Sequence, residues 1–205
     1  MTALTKPIIF SLSHGRNEAE HLGACLDSIN KQTLKPECLI YVDDASDDES
    51  IEIAVDHHTI VCPLLGKHES WVLNPLLATV YNEMFKCVYR LQNSLRLPKT
   101  GDYYFIGGCD AVYPTDYLEK LETKMRANPK LVIASGIFRD EPCGSKFARG
   151  LGRLIKADFW DTYVKQVPVK HDWETEPNRI AWTNGYEVAS FPDIRFDGRP
   201  TGARR

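Results

Sequence analysis

The sequence predicts an α/β domain with a mostly parallel β-sheet flanked by helices. The first observation is a series of short apolar runs, each too short for a helix and each followed by a polar or glycine-rich stretch. The second is that amphipathic segments, with apolar residues three or four positions apart, lie between these runs. Strands that alternate with helices are typical of βαβ units, whose neighbouring strands run parallel. The predicted strands are residues 7–13, 38–42, 59–65, 102–108 and 131–138.

Helical periodicity is found in four segments between these strands. Residues 18–30 place four apolar side chains on one face, and residues 77–95 form a long amphipathic pattern. Residues 50–58 and 118–125 are shorter helices. Each helix follows a predicted strand, which is the order that a parallel sheet requires.

The pattern changes beyond residue 140. Residues 139–153 have glycines spaced among basic residues and are predicted to form a loop. Two helices are predicted over residues 154–164 and 174–185, the second ending at Gly185 in a left-handed cap. A closing strand is expected over residues 186–191. The final stretch, "DGRPTGARR", is expected to be an exposed tail or the start of a further segment.

Composition and charge exclude several classes of protein. The chain has 205 residues and a net charge of −3, without the basic stripe that nucleic-acid binding requires. Its six cysteines are scattered with no CxxC pair, which argues against a zinc site and a disulfide framework and for reduced thiols in the cytoplasm. We find neither a transmembrane run nor a signal-peptide pattern. The prediction is a cytoplasmic protein, with attachment to a membrane surface left open.

Three loops are the first candidates for a ligand site. In parallel sheets, ligands bind beyond the carboxyl ends of the strands. The loops at these ends are "SHGRNE" (13–18), "DDASDD" (43–48) and "GGCDAVYP" (107–114). No Walker loop, GxGxxG, nucleophile elbow or zinc-protease motif occurs in the chain.

Acidic residues in two of these loops suggest specific contacts. Asp43 and Asp44 can accept hydrogen bonds from a nucleobase or a ribose. The alternative is that they cap the following helix together with Asp47 and Asp48. Asp110, beside two glycines, can be an oxygen ligand for Mg²⁺ or Mn²⁺ that bridges to a diphosphate. Its alternative is an ordinary turn residue before a proline.

A third acidic cluster lies in "HDWETEP" (171–177) at the predicted start of a helix. Asp172, Glu174 or Glu176 can act as a general base toward a hydroxyl group. The alternative is that these acids only favour the positive end of the helix dipole. Trp173 can line a sugar pocket.

The ordered set of segments resembles a known family. Asn17-Glu18, "CLDSI" (25–29), Gln32-Thr33 and "VDDASD" (42–47) are similar to the N-terminal signature of the inverting nucleotide-sugar glycosyltransferases with the GT-A fold, of the large "family two" type. Residues 102–121 resemble the segment that carries the family's DxD metal motif, with Asp110 at the second acid and Gly108 in place of the first. "ETEPNRIAWTNGYEV" is similar to the family's catalytic segment, with Glu174 at the position of its catalytic acid. The resemblance extends from residue 8 to about 196 and weakens between 55 and 100.

This resemblance implies a single GT-A domain over residues 1–205, with a nucleotide-sugar-binding half to about residue 112 and an acceptor-binding half from about residue 113. The implied activity is that of a hexosyltransferase acting with inversion on a nucleoside-diphosphate sugar, with a UDP-sugar favoured. The acceptor is a glycan, lipid or protein, and a homodimer is compatible with this family. Glu174 would take the proton from the acceptor hydroxyl.

The resemblance also implies binding roles for other residues. A Mn²⁺ or Mg²⁺ ion at Asp110 would assist departure of the nucleoside diphosphate, and the missing acid at Gly108 affects the ribose contact. Asp172 and Trp173 are expected on the acceptor side. The residues expected to bind the nucleotide-sugar are Ser11, Ser13, Asn17, Glu18, Asp43, Asp44, Gly108, Arg149 and Arg153.

Two other functions were compared with this one. A nucleotide-sugar-binding protein of this fold without catalysis is favoured by the incomplete DxD motif and by the glutamate at the position of the base. A nucleotidyltransferase of related architecture would require a glycine-rich "GxGTRL" loop after the first strand. The segment "SLSHGRNE" does not supply that loop.

Overall fold

The computed structural model describes residues 6–64, 75–94, 102–141, 144–168 and 173–198. The strands within these residues are β1 Ile9–Gly15, β2 Cys38–Asp43, β3 Ile60–Pro63, β4 Tyr103–Ile106, β5 Ala111–Val112, β6 Leu131–Phe138, β7 Arg153–Lys156 and β8 Glu187–Gly198. The helices are α1 Ala19–Asn30, α2 Ser50–Asp56, α3 Pro75–Ser94, α4 Tyr117–Ala127, α5 Ala157–Phe159 and α6 Thr175–Thr183, and a π-helical turn Trp160–Val164 follows α5.

The strands form one sheet in the order β3-β2-β1-β4-β7-β6-β8-β5. Strands β1 to β4 pair in parallel, as do β6 and β8. Strand β7 is antiparallel to both β4 and β6, so β6 and β8 have the same direction as β1 to β4. Six strands therefore end at one edge, here called the carboxyl edge. The predicted α/β class is confirmed, with a mixed and mostly parallel sheet.

Side-chain alternation along the strands divides the core between the two faces of the sheet. Ile9 packs on the face covered by α1, α2 and α4, whereas the adjacent Phe10 packs on the face covered by α3 and α6. On the second face Phe85 and Trp160 stack with ring centroids 3.9 Å apart. Because helices cover both faces, ligand-binding residues can collect only at the edges of this sheet.

The prediction of one helix over residues 154–164 was wrong in its first part. Arg153–Lys156 forms β7, with Ile155 paired to Tyr104 on one side and to Ile133 on the other. Only then does the chain become helical. A four-residue segment cannot show a strand period clearly, and its place between β4 and β6 is decided by tertiary pairing.

Other boundaries were predicted with mixed success. Strand β8 extends to Gly198, well beyond the predicted closing strand, and the predicted loop 107–114 contains the short β5 that pairs with it. Gly185 follows α6 with φ +76°, so the predicted left-handed cap is confirmed. Leu95, the predicted end of the long helix, lies outside the described residues.

Candidate functional site

The first two loops of the carboxyl edge are joined by paired hydrogen bonds. Asn17 has φ +55°, a left-handed conformation that asparagine tolerates better than most residues. Its Nδ2 donates to Asp47 Oδ1 over 2.8 Å, and the Asp47 backbone N–H donates to Asn17 Oδ1 over 2.9 Å. The backbone N–H of Asn17 also donates to Ser46 Oγ. The loops after β1 and β2 therefore form one unit.

The acids at the end of β2 have different roles. Asp43 is buried, and its carboxylate accepts the Ser46 hydroxyl at 2.5 Å and the Ser46 backbone N–H at 2.9 Å. It therefore shapes the turn. Asp44, also buried, donates its backbone N–H to the Gly15 carbonyl over 2.9 Å. This bond holds the two strand ends together.

Glu18 and the two serines of β1 are buried beneath the surface of the carboxyl edge. Glu18 is buried, and its backbone N–H donates to Ser50 Oγ over 2.9 Å. Ser11 and Ser13 are buried as well. The Ser11 hydroxyl finds no hydrogen-bond acceptor or donor among the described residues. A ligand contact with either serine would require the edge to open.

The loop after β4 has a conformation that only glycine adopts easily. Gly108 has φ +67°, and a Cβ added there would collide with Leu151 Cδ2. The Tyr113 hydroxyl donates to the Gly107 carbonyl, which fixes the loop from below. Backbone conformation therefore gives a physical reason for the glycine at the position where the resembling family has an acid.

Asp110 lies two residues after Gly108 and is 8% exposed. Burial raises the pKa of the Cys25 thiol in α1 to about 12, and the charges of Asp110 and Glu18 add to this shift to a lesser extent. Asp110 is therefore near Cys25. The neighbouring Cys109 contacts the end of β1, since a Cβ on Gly15 would lie 2.8 Å from Cys109 Sγ. The Asp110 loop thus adjoins the loop after β1.

No group of three or more His, Cys, Asp or Glu side chains suited to a metal ion occurs among the described residues. The acid that the sequence predicts as the metal ligand is Asp110. An oxygen ligand suits Mg²⁺ or Mn²⁺, but one carboxylate does not form a metal site alone. A divalent ion fits here only if a bound diphosphate and water supply the other ligands.

Glu174 stands at the start of α6, next to the loop before β7. Its Oε1 accepts the backbone N–H of Gly150 over 2.7 Å, and its carbonyl accepts Asn178 Nδ2 over 2.9 Å. Leu151, the residue after Gly150, is the side chain that packs against Gly108. Glu174 and the Asp110 loop are therefore connected through residues 150–151. Asp172 lies outside the described residues.

An aromatic cluster covers one side of Glu174. The Trp173 ring lies 4.9 Å from the Tyr81 ring and 6.2 Å from the His14 ring at the end of β1. Burial raises the pKa of Tyr81 to about 12, with the charges of Arg153 and Glu174 acting in opposite directions. Both charges are thus close to the Tyr81 hydroxyl.

In the sequence analysis, neither Tyr81 nor His14 was given a role in the candidate site. The position of His14 at a strand end was a signal for it. Tyr81 gave no signal, since it falls on the apolar face of α3 like an ordinary core residue.

The two predicted basic contacts differ in exposure: the Arg149 side chain is 37% exposed, whereas Arg153 is buried. The Arg149 guanidinium forms an ion pair with Glu141 and lies 5.7 Å from the Phe138 ring centre. Arg153 is completely buried. Glu176, the alternative base, is held by Arg179 through two hydrogen bonds of 2.6 and 2.8 Å.

Comparison with solved structures identifies the architecture. The mannosyltransferase PcManGT from Pyrobaculum calidifontis, solved with GDP-Man and Mn²⁺, superposes with a TM-score of 0.72 at 16% identity. The match covers 98% of this chain and 59% of that one. The chain has the GT-A fold.

A second GT-A neighbour is TarS from S. aureus, solved with UDP-GlcNAc. Its TM-score is 0.69 at 11% identity, with 94% of this chain and 59% of that chain covered. The chain thus spans less than two thirds of the length of these GT-A proteins. No curated protein matches the sequence significantly.

A family model supports the same assignment from sequence. Residues 16–68 match the model of glycosyl transferase family 2, which includes the loops after β1 and β2. The resemblance to family-two GT-A glycosyltransferases is confirmed by the model and the fold together. Within the described part of this GT-A chain, no helix has the length and apolar character needed to cross a bilayer.

Proposed function

We propose that this GT-A chain transfers a sugar from a nucleoside-diphosphate sugar to an acceptor hydroxyl. The observation that supports this most is the connection of Glu174 to the Asp110 loop through Gly150 and Leu151. The segments that carry a candidate base and a candidate diphosphate-binding acid, far apart in sequence, are thereby linked at the carboxyl edge. Ligands of α/β sheets bind at this edge.

The donor site is proposed to lie over the loops after β1, β2 and β4. Asn17 and Asp47 hold the first two loops together, and Asp44, which is as buried as the two serines, would accept a hydrogen bond from the base once the edge opens. Gly108 would allow the donor to approach the backbone closely. The neighbours with UDP-GlcNAc and GDP-Man support a nucleoside-diphosphate sugar as donor, and we favour a UDP-sugar.

The proposed reaction is a single displacement that inverts the anomeric centre. The acceptor oxygen forms a bond to the anomeric carbon while the bond from that carbon to the diphosphate oxygen breaks. Glu174 takes the acceptor's proton, and the Gly150 N–H keeps Oε1 in place for this transfer. Trp173, and Asp172 before it in sequence, would contact the acceptor, which we propose to be a glycan, lipid or protein.

A divalent ion would be held by Asp110 together with the donor's diphosphate. When bound, Mn²⁺ or Mg²⁺ would supply a Lewis acid for the negative charge on the leaving nucleoside diphosphate. The PcManGT structure with Mn²⁺ supports this assignment. Asp110 would contribute one oxygen from the loop after β4, at the carboxyl edge of the sheet.

The function is tested by incubating the protein with UDP-GlcNAc, UDP-glucose and GDP-mannose, with Mn²⁺ or with a chelator. Slow hydrolysis that releases nucleoside diphosphate from at least one donor is expected, with proton NMR showing the sugar product first in the inverted configuration. Chelation should reduce the release. Failure to bind or hydrolyse any nucleotide-sugar would contradict the proposal.

One observation favours a second candidate, a nucleotide-sugar-binding protein without catalysis. Gly108 replaces an acid of the family motif, and the described residues contain no group of three or more side chains suited to a metal. The same experiment separates the two functions. Calorimetric binding of a nucleotide-sugar, with no release of nucleoside diphosphate under any metal, would establish the second.

A further inference from the structure

Arg153 is a buried cation at the carboxyl edge, in the first position of β7. Its side chain is 0% exposed. Burying a guanidinium group is costly unless hydrogen bonds and nearby charge compensate it. The burial of Arg153 therefore needs a structural or functional explanation, since water does not solvate its charge.

The guanidinium group joins two separate backbone segments. Its Nε donates to the Arg149 carbonyl over 2.5 Å, and its Nη2 donates to the Glu174 carbonyl over 3.1 Å. Its Cζ lies 5.7 Å from the centre of the Trp173 ring, which is within cation–π range. One planar group thus contacts the loop before β7 and the start of α6.

These two segments are the ones that fix the Glu174 carboxylate. The residue after Arg149 is Gly150, whose N–H donates to Glu174 Oε1. A closed ring of contacts results, running from Arg153 to the Arg149 carbonyl, along the backbone to Gly150, through Glu174, and back to Arg153. Removing the guanidinium would release both segments at once.

Burial argues against a direct contact between Arg153 and a donor phosphate. A group without exposed surface cannot touch a diphosphate unless the loop moves. The Arg153 Nη1 atom, which has no hydrogen-bond partner among the described residues, is buried too. The sequence-based expectation of a phosphate contact is therefore less well supported than a role through Glu174.

We propose that Arg153 is a positioning residue that holds the Glu174 carboxylate against the Gly150 N–H. The inference rests on the proposed transferase function. It can be tested separately from that function, because the contact between Gly150 and Glu174 can be measured without any turnover. Placement matters here, since misplacing a catalytic group by about 1 Å can reduce a rate about 100-fold.

The test uses Arg153→Met, Arg153→Lys and the control Arg139→Met, which removes an exposed guanidinium paired with an exposed carboxylate. Hydrogen exchange of the Gly150 amide is measured in each folded variant. We expect exchange at Gly150 to rise about tenfold or more in Arg153→Met, with amides of β4 unchanged. Arg153→Lys should give a smaller rise, because its ammonium group can donate to one of the two carbonyls but not to both in the fork geometry. The control should match the wild type.

Turnover provides the second readout, with UDP-GlcNAc or GDP-mannose as the donor. A positioning role predicts that kcat falls about 100-fold in Arg153→Met while the KM for the donor changes less than about threefold. Unchanged Gly150 exchange in a folded variant would overturn the proposal, and so would a large rise in KM at constant kcat. If Arg153→Met does not fold, Arg153→Lys decides by the same criteria. If the wild type hydrolyses neither donor, the transferase function fails, and Gly150 exchange alone decides the role of Arg153.

Discussion

The side chain of Leu151 occupies the space into which a side chain at Gly108 would project. Gly108 also has φ +67°, so both the backbone and its neighbour disfavour any other residue. The backbone conformation and the Leu151 contact therefore favour glycine at the position where the DxD-like motif lacks its first acid. This contact also links the Asp110 loop to the segment that holds Glu174.

Substitution of Gly108 by alanine should be destabilising. The backbone is strained, and the added Cβ meets Leu151 Cδ2, the end of a side chain that can move aside, so we expect a loss of about 2 kcal/mol in the free energy of unfolding. Gly185→Ala is the matched control, because Gly185 has φ +76° but nothing within 4 Å of an added Cβ. It should lose only about 1 kcal/mol. Urea unfolding measures both.

The collision can be separated from the backbone strain. Adding Leu151→Ala should recover part of the stability lost by Gly108→Ala and none of that lost by Gly185→Ala. Equal losses for the two alanine variants, without recovery, would show that Leu151 does not restrict position 108.

Asn17 should show how far the paired loops stabilise the edge. Asn17→Ala loses the hydrogen bonds with Asp47 and strains a backbone at φ +55°, whereas Asn17→Gly loses only the hydrogen bonds. We expect losses of about 2 and about 1 kcal/mol in unfolding free energy, respectively. Chemical denaturation distinguishes them. A glycine variant less stable than the alanine variant would contradict the assigned conformation.

Glu174→Gln should separate proton transfer from structure. Glutamine retains an oxygen that accepts the Gly150 N–H, so the Tm should change by no more than about 2 °C. It cannot take the acceptor proton, and transfer should fall about 10² to 10⁴-fold.

Glu176→Gln is the control for this substitution, because it alters a carboxylate held by the largely exposed Arg179. We expect it to lose less than about 1 kcal/mol in stability and to retain transfer activity. Loss of activity in Glu176→Gln with activity kept in Glu174→Gln would exchange the two roles.

Asp161 should make stability depend on pH in the acidic range. Burial raises its pKa above 3.8, although hydrogen bonds from Tyr89 and Tyr104 oppose the shift. The folded state therefore binds this proton more tightly than the unfolded state. Its contribution to stability is fully present below pH 3.8 and is lost as pH rises through the folded pKa.

Asp161→Asn keeps an oxygen acceptor for the tyrosines and removes the titration. The stability of the wild type relative to this variant should fall as pH rises from about 3 to about 6. Urea unfolding across this range provides the measurement, with Asp56→Asn as an exposed control. A difference that grows with pH would contradict the assigned direction.

The sequence predicted the parts of the fold that depend on local pattern. The alternation of strands and helices was clear through β6, and Gly185 marked the end of α6. Strand β7 was missed because four residues between a glycine-rich loop and a helix fit either period. Its antiparallel place between β4 and β6 depends on long-range pairing that no local pattern encodes.

The residues proposed for the site come partly from sequence pattern and partly from resemblance, and their roles stay predictions. Strand ends indicated Asp44 and Asp110, and the family resemblance indicated Glu174. The role of Arg153 and the contacts of Trp173 with His14 and Tyr81 depend on how β7, α3 and α6 meet at the carboxyl edge. Only the tertiary structure brings these residues together.

The central claim is that a nucleoside diphosphate binds at the carboxyl edge of the sheet. Amide chemical shifts recorded during titration with UDP and with GDP test it most directly. The account predicts that the largest shifts fall in residues 15–18, 43–48 and 107–110. Shifts concentrated at the opposite edge, around Glu37, Asp102 and Asn128, would contradict it.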